Sequence, residues 1–98
     1  MSTFDVKFAV YGALKDGNEN ETQAISVAQQ LQRLLEDNDG IVTISNSSFG
    51  VDPAKGYTKH FGAIVNVNGE DVYFACQENQ TIDFAHHIQP TAVATTAN

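Results

Sequence analysis

Residues 60–77 read HFGAIVNVNGEDVYFACQ, and this stretch decides the fold. Its centre is Asn68-Gly69, the dipeptide preferred in two-residue type I′ turns, with β-prone residues on both sides. The turn predicts an antiparallel hairpin in which Val67 lies opposite Glu70. That register places the large apolar residues on one face, in the pairs Val65 with Val72, Ala63 with Phe74 and Phe61 with Cys76.

The opposite face of this hairpin is mixed in character. It carries Ile64 beside Tyr73, Gly62 beside Ala75, and His60 beside Gln77. The pattern indicates a surface that is either partly covered or partly a docking face.

The chain upstream of the hairpin predicts two strands and one helix. Residues 4–11 alternate with period two, typical of a half-buried strand, and we expect this strand to end at Gly12. Residues 21–38 predict an amphipathic helix with Asn20 as its N-cap. Its apolar residues at helical spacing are Ala24, Val27, Ala28, Leu31, Leu34 and Leu35. Gly40 or Asn38 is expected to end it in the left-handed conformation, and residues 41–45 predict a second strand.

The remaining segments complete an α+β fold in the order β-α-β-β-β. Residues 15–20 and 46–57 are rich in turn formers and predict exposed loops, while residues 81–84 predict a short fifth strand. We expect a single domain over residues 1–85, with one amphipathic helix packed on a mainly antiparallel sheet. Residues 86–98 have little patterning and are expected to form an extended or frayed tail.

Composition excludes several classes of partner. Five basic residues against twelve acidic ones give a net charge of −7, so no basic patch is expected for nucleic acid or an anionic membrane. No run approaches the ~20 apolar residues that span a bilayer, so no membrane insertion is expected. Residues 1–5 do not resemble a signal peptide, which predicts a cytoplasmic location.

No motif indicates catalysis, a cofactor or a metal. Cys76 falls on the apolar face of the hairpin, where a thiol is expected to be an unactivated small hydrophobe. His86-His87 lacks a second pair of ligands at metal-site spacing and predicts a solvent-exposed pair. The sequence therefore predicts a protein that is not an enzyme.

Polar and aromatic residues in the loops form the candidate binding site. Amides and carboxylates hydrogen-bond hydroxyl groups, and an aromatic ring covers the apolar face of a sugar, so the set suits a neutral glycan. The alternative is a set of ordinary turns, in which Phe49 and Tyr57 anchor the loop to the core. The candidate residues are Asn46, Ser48, Phe49, Asp52, Tyr57, Gln77 and Asn79.

Four short segments fall in a familiar order over residues 8–84. They are VYGA at 10–13, AQQLQRL at 28–34, FGVDPAKG at 49–56 and KHF at 59–61. Together they resemble the C-terminal domain of the DnaJ-like subfamily C member eleven family of J-domain proteins. The resemblance implies an accessory module for protein interaction. The chain has no J domain and no His-Pro-Asp motif, so cochaperone activity and the family's association with mitochondrial complexes do not follow.

Two hypotheses of function remain open. The first is a non-catalytic module for protein interaction or self-assembly, which would bind a protein partner or form a homodimer. The alternative is a cytosolic lectin that binds neutral glycans through the polar and aromatic loops.

Overall fold

The computed structural model describes residues 2–15 and 21–87, and it confirms the α+β class. Beyond the order β-α-β-β-β it has the short fifth strand predicted over residues 81–84, one further strand and one further short helix. The elements are β1 (Phe4–Leu14), β2 (Thr22–Ser26), α1 (Ala28–Asp37), β3 (Ile41–Thr43), α2 (Asn46–Phe49), β4 (His60–Val67), β5 (Glu70–Gln77) and β6 (Thr81–Asp83).

The hairpin of β4 and β5 has the predicted register. Val67 pairs with Glu70, and each pair expected from the turn is present. Asn68 and Gly69 both have positive φ, 54° and 93°, as a type I′ turn requires. The side chain of Asn66 stabilises the turn by accepting a hydrogen bond from the Gly69 amide at 3.0 Å.

Strand β1 lies beside β4 and contains an irregularity that the sequence pattern did not predict. The four-stranded antiparallel sheet has the order β2-β1-β4-β5, and the register of β1 on β4 shifts between Val6 and Phe8. Lys7 is therefore an extra residue, a β-bulge, and side chains beyond it change faces. The simple alternation expected over residues 4–11 is wrong for this reason. Ala9 and Tyr11 are buried, whereas Phe8 is 53% exposed.

Strand β2 corrects the prediction of a helix over residues 21–38. Its five residues pair with the end of β1, from Val10 opposite Ser26 to Leu14 opposite Thr22, so β1 does not end at Gly12. The ladder of backbone hydrogen bonds outweighs the weak helical preference of this segment. The helix begins only after Val27, whose amide donates to the Ala9 carbonyl at 3.0 Å. The predicted N-cap, Asn20, lies outside the described residues.

Glycine is required at position 12, where β1 is paired with β2. A Cβ at this position would overlap the backbone of Gln23 and Ala24 on the paired strand. Glycine lets the two strands approach closely. Gly12 therefore lies inside the hairpin of β1 and β2 and does not end β1.

The inner face of the sheet is covered by a second layer made of α1, α2 and the two-stranded sheet of β3 and β6. Leu31 and Leu35 of α1 are fully buried. After α1, Gly40 adopts a left-handed φ of 87°, as predicted, and its carbonyl accepts from the Phe84 amide at 2.8 Å. This contact joins the end of the helix to the end of β6.

A side chain of α1 also satisfies the edge of β1 that β2 does not reach. Gln32 Oε1 accepts a hydrogen bond from the Val6 amide at 2.8 Å, and Gln32 Nε2 donates to the Phe4 carbonyl at 2.9 Å. One amide group thus makes the two bonds that a neighbouring strand would make. The bulged part of β1 is held to the helix by this pair.

Of the tail predicted over residues 86–98, the structure describes only His86 and His87. The ring of His87 packs edge-on against Phe74, with ring centroids 6.2 Å apart. Residues 88–98 lie outside the described residues, as do residues 16–20 of the loop predicted after β1.

Replacing Gly12 by alanine is expected to lower the free energy of unfolding by about 1–3 kcal/mol, the usual cost of adding atoms to packed structure. The added Cβ forces β1 and β2 apart. Gly62→Ala is the matched control, because its Cβ would come no closer than 3.9 Å to a neighbour, Val10 Cγ1. Urea denaturation of dilute protein measures both variants, and equal losses would contradict the close approach at Gly12.

Gln32→Ala is expected to cost about 1–3 kcal/mol of stability, because it leaves the Val6 amide and the Phe4 carbonyl without their partner. Gln29→Ala makes the same chemical change at an exposed position of the same helix and should change stability by less than about 0.5 kcal/mol. Thermal unfolding followed by circular dichroism compares the two. A loss no larger for Gln32→Ala than for Gln29→Ala would show that the amide does not hold the edge of β1.

Candidate functional site

The outer face of the four-stranded sheet, called here the open face, carries most of the exposed large apolar side chains. Among the described residues these are Phe8, Leu14, Ile41 and Tyr73, and all but Ile41 belong to this face. The second layer packs on the inner face. The residues of the open face are Asp5, Phe8, Val10, Gly12, Leu14, Thr22, Ala24, Ser26, His60, Gly62, Ile64, Asn66, Asp71, Tyr73, Ala75 and Gln77.

Cross-strand pairing arranges the open face in rows that run across the strands. One row consists of Phe8, Ile64 and Tyr73, which are aligned by the pairs Phe8 with Ile64 and Ile64 with Tyr73. Phe8 is 53% and Tyr73 67% exposed. This row of large side chains is called the ridge.

The neighbouring row is made of small or short side chains and is called the trough. It consists of Ser26, Val10, Gly62 and Ala75, again aligned by direct cross-strand pairs. Two shallow depressions of about 410 and 400 Å³ meet at Gly62, one on each side of it. The absence of a side chain at Gly62 therefore leaves a low point where the two depressions meet.

The charged groups at the open face lie along one rim, where Lys7 Nζ from the bulge is 3.2 Å from Asp5 Oδ2. Asp5, Asn66 and Asp71 form the row beyond the ridge, and Asn66 donates to Asp71 at 2.9 Å. His60 and Gln77 lie in the row beyond the trough. The ridge and the trough contain no charged residue, although the chain carries a net charge of −7. The centre of the face is thus a neutral, largely apolar surface in an acidic protein.

The predicted loop site is directed mainly toward the protein interior. Asn46 begins α2 and accepts a hydrogen bond from the Tyr11 hydroxyl at 2.7 Å. Phe49 is buried, and its ring packs edge-on to Tyr11 and stacked on Phe61, with centroids 5.0 and 6.0 Å away. The Phe49 ring is therefore covered on the side where a sugar would have to stack.

Asp52 belongs to an ion-pair cluster centred on Lys59, the one buried charged residue among those described. Lys59 Nζ lies 2.7 Å from Asp52 Oδ1 and 3.9 Å from Glu78 Oε1. The Lys59 amide also donates to Glu78 Oε1 at 2.8 Å. Sequence reasoning missed this cluster because a lysine in a polar loop gives no signal that its side chain is buried.

The pKa values of two residues in and beside this cluster are shifted. The hydrogen bond from Lys59 is the main cause that lowers the pKa of Asp52 below its ordinary value of 3.8. Burial, with smaller effects from Glu78, Asp52 and Cys76, raises the pKa of Tyr11 to about 12. Both shifts favour the forms that hold the loop in place, a charged Asp52 and a neutral Tyr11.

The other predicted site residues do not gather at one place. Ser48 donates its amide at 3.2 Å to Oγ of Ser45, the residue that caps α2, and Tyr57 is half-buried at the end of the loop. Asn79 has a positive φ of 75° in the turn after β5. Gln77 lies on the rim of the open face. The ligand-binding role of the set stays a prediction, and the contacts of Asn46, Phe49 and Asp52 are those of a loop anchor.

The groups with reactive side chains are dispersed. Cys76 packs against the core as the hairpin register predicted, and burial raises the pKa of its thiol. His86 Nδ1 lies 3.0 Å from Asp83 Oδ2 on the surface. Within residues 2–15 and 21–87 no three His, Cys, Asp or Glu side chains group closely enough to hold a metal ion.

Comparison with known proteins assigns no family. No protein-family model, curated protein or solved structure matches the chain. The resemblance to the DnaJ-like subfamily C member eleven family stays a prediction. In the part of the chain that the structure describes, no helix has the length and apolar character to cross a membrane.

Asp52→Asn is expected to make the protein less stable than wild type at pH 7. This difference in stability is expected to disappear in acid. A folded-state pKa below 3.8 means that the unfolded chain binds the proton first, so the contribution of Asp52 is lost as the pH falls below about 4. Asp5→Asn removes a carboxylate whose ion pair with Lys7 is on the surface and is the matched control. Thermal melts between about pH 2.5 and 7 test this; a difference from wild type that does not change with pH would contradict it.

Proposed function

We propose that the protein is a non-catalytic protein-interaction module and that the open face is its docking surface. One observation carries the proposal: Phe8, Leu14 and Tyr73 are exposed on one face of a sheet whose centre has no charge. Contiguous exposed apolar surface on a soluble domain is typical of interaction sites.

The energetics of the open face favour a macromolecular partner. Covering apolar surface is worth about 25 cal/mol per Å², and the aromatic side chains of the ridge offer the largest areas. These side chains project from paired strands, so little backbone entropy is lost when they are covered. Tyr is also enriched among the residues that dominate binding energy at interfaces.

The shape of the open face argues against a small-molecule site. Pockets for small ligands enclose most of the ligand surface, whereas the two depressions are shallow and lie on a sheet. A second protein surface can cover a ridge and a trough together. The resemblance to an accessory domain of J-domain proteins supports the same kind of role. No contact among residues 2–15 and 21–87 favours the alternative of a lectin.

Site-directed photo-crosslinking tests the docking surface. Tyr73 is replaced by the photoreactive amino acid p-benzoylphenylalanine, the protein is irradiated in the cells that produce it, and adducts are identified by mass spectrometry. We expect a defined protein adduct, because this side chain is 67% exposed on the ridge. Arg33 is the matched control position, since it is exposed on α1, on the far side of the molecule.

An adduct at position 73 that is absent at position 33 supports the proposal, whether the captured protein is a second copy or a different chain. No adduct at position 73, or the same adducts at both positions, would overturn it.

A further inference from the structure

We infer that the partner on the open face is a second copy of this chain, packed face to face about a two-fold axis. The inference rests on the proposed function and names its partner. Its basis is the order of the rows on the open face, where the ridge lies directly beside the trough and each of its three residues has a trough residue next to it on the same strand.

A single rotation makes the open face complementary to itself. Successive outward rows on a sheet are about 7 Å apart, twice the rise per residue. A two-fold axis that runs parallel to the rows, midway between ridge and trough, places each strand over the same strand of the second copy. It exchanges the ridge with the trough. Such a contact is isologous, with the same residues contributed by both copies.

The residue pairs that this rotation creates set large side chains against small ones. Tyr73 of one copy lies over Ala75 of the other, and Ile64 lies over Gly62. Phe8 lies over Val10. Packed sheets stand about 10 Å apart, so each large side chain needs a low position opposite it. Gly62 and Ala75 supply the two lowest positions on β4 and β5.

The rims of the open face are complementary under the same rotation. The row of Asn66 and Asp71 comes over the row of His60 and Gln77. The Gln77 amide then lies opposite the Asp71 carboxylate, and Asp5 comes over Gly12. No two carboxylates are placed against each other at the centre of the contact. The net charge of −7 therefore opposes association only at long range, where salt screens it.

The area of the open face is large enough for a weak dimer. Four strands about 4.8 Å apart and roughly eight residues long give a projected face of about 500 Å² per copy. Two copies then cover about 1,000 Å², near the lower limit for a specific interface. The dimer is accordingly expected in the micromolar range of dissociation constants.

An exchange of ridge and trough on β5 tests the geometry. Ala75→Tyr sets two tyrosine side chains against each other across the interface, and Tyr73→Ala leaves the trough unfilled. Each is expected to raise the dissociation constant of the dimer at least about tenfold. The double variant Tyr73→Ala with Ala75→Tyr restores one large side chain over one small one and should return to within about threefold of wild type. Sedimentation equilibrium over a concentration series measures all four proteins.

Folding of the variants is checked by their melting temperatures, and both positions are exposed strand positions that accept tyrosine. The same exchange on β4, Ile64→Gly with Gly62→Ile, repeats the test independently and takes its place if a β5 variant fails to fold.

The outcomes separate this inference from the proposed function. A wild-type dimer whose affinity is lost in both single variants and recovered in the double variant supports the inference. Binding to an unrelated partner would not be restored by exchanging the two residues. A dimer that the exchange does not restore overturns it. A protein that stays monomeric to about millimolar concentration also overturns it, and an adduct of a different protein at position 73 would then leave the proposed docking surface intact.

Discussion

An extra residue at Lys7 reverses the alternation of β1, and both layers of the protein depend on that reversal. It turns Ala9 and Tyr11 toward the core and releases Phe8 onto the open face. The edge of β1 before the bulge, which β2 does not reach, needs other hydrogen-bond partners, and the Gln32 side chain supplies them from α1. The same local irregularity therefore supplies core residues on one side of the sheet and completes the ridge on the other.

The parts of the fold that follow from local chemistry could be predicted, and the parts that depend on distant strands could not. The turn at Asn68-Gly69 determines the register of β4 and β5 because its two positive φ angles leave one arrangement of the flanking strands. Ala24 and Val27 lie at helical spacing from Leu31, yet Ala24 is in β2. Its strand state depends on the free edge of β1, which nothing in residues 21–38 encodes.

The candidate site shows the same division. The mixed outer face of the hairpin was visible in the sequence, since Ile64, Tyr73, Gly62 and Ala75 alternate with the core residues. The contribution of Phe8 was not visible, because the bulge that exposes it interrupts an otherwise regular pattern. In the loop, polar character suggested a binding surface, whereas the hydrogen bonds of Asn46 and the ion pair of Asp52 hold the loop to the core. Sequence identifies such polar groups but not whether their partner is internal.

The pairing of β1 with β4 joins residues that are about fifty to sixty positions apart in the chain. Hairpins such as β4 and β5 close within microseconds, while a contact between distant strands must first overcome the entropy of closing a long loop. We therefore expect the hairpin to form before β1 arrives, when one edge of β4 has eight residues of unpaired backbone. An edge of this kind is a template for strands of other chains. The time that β1 takes to reach β4 is thus the interval in which folding competes with aggregation.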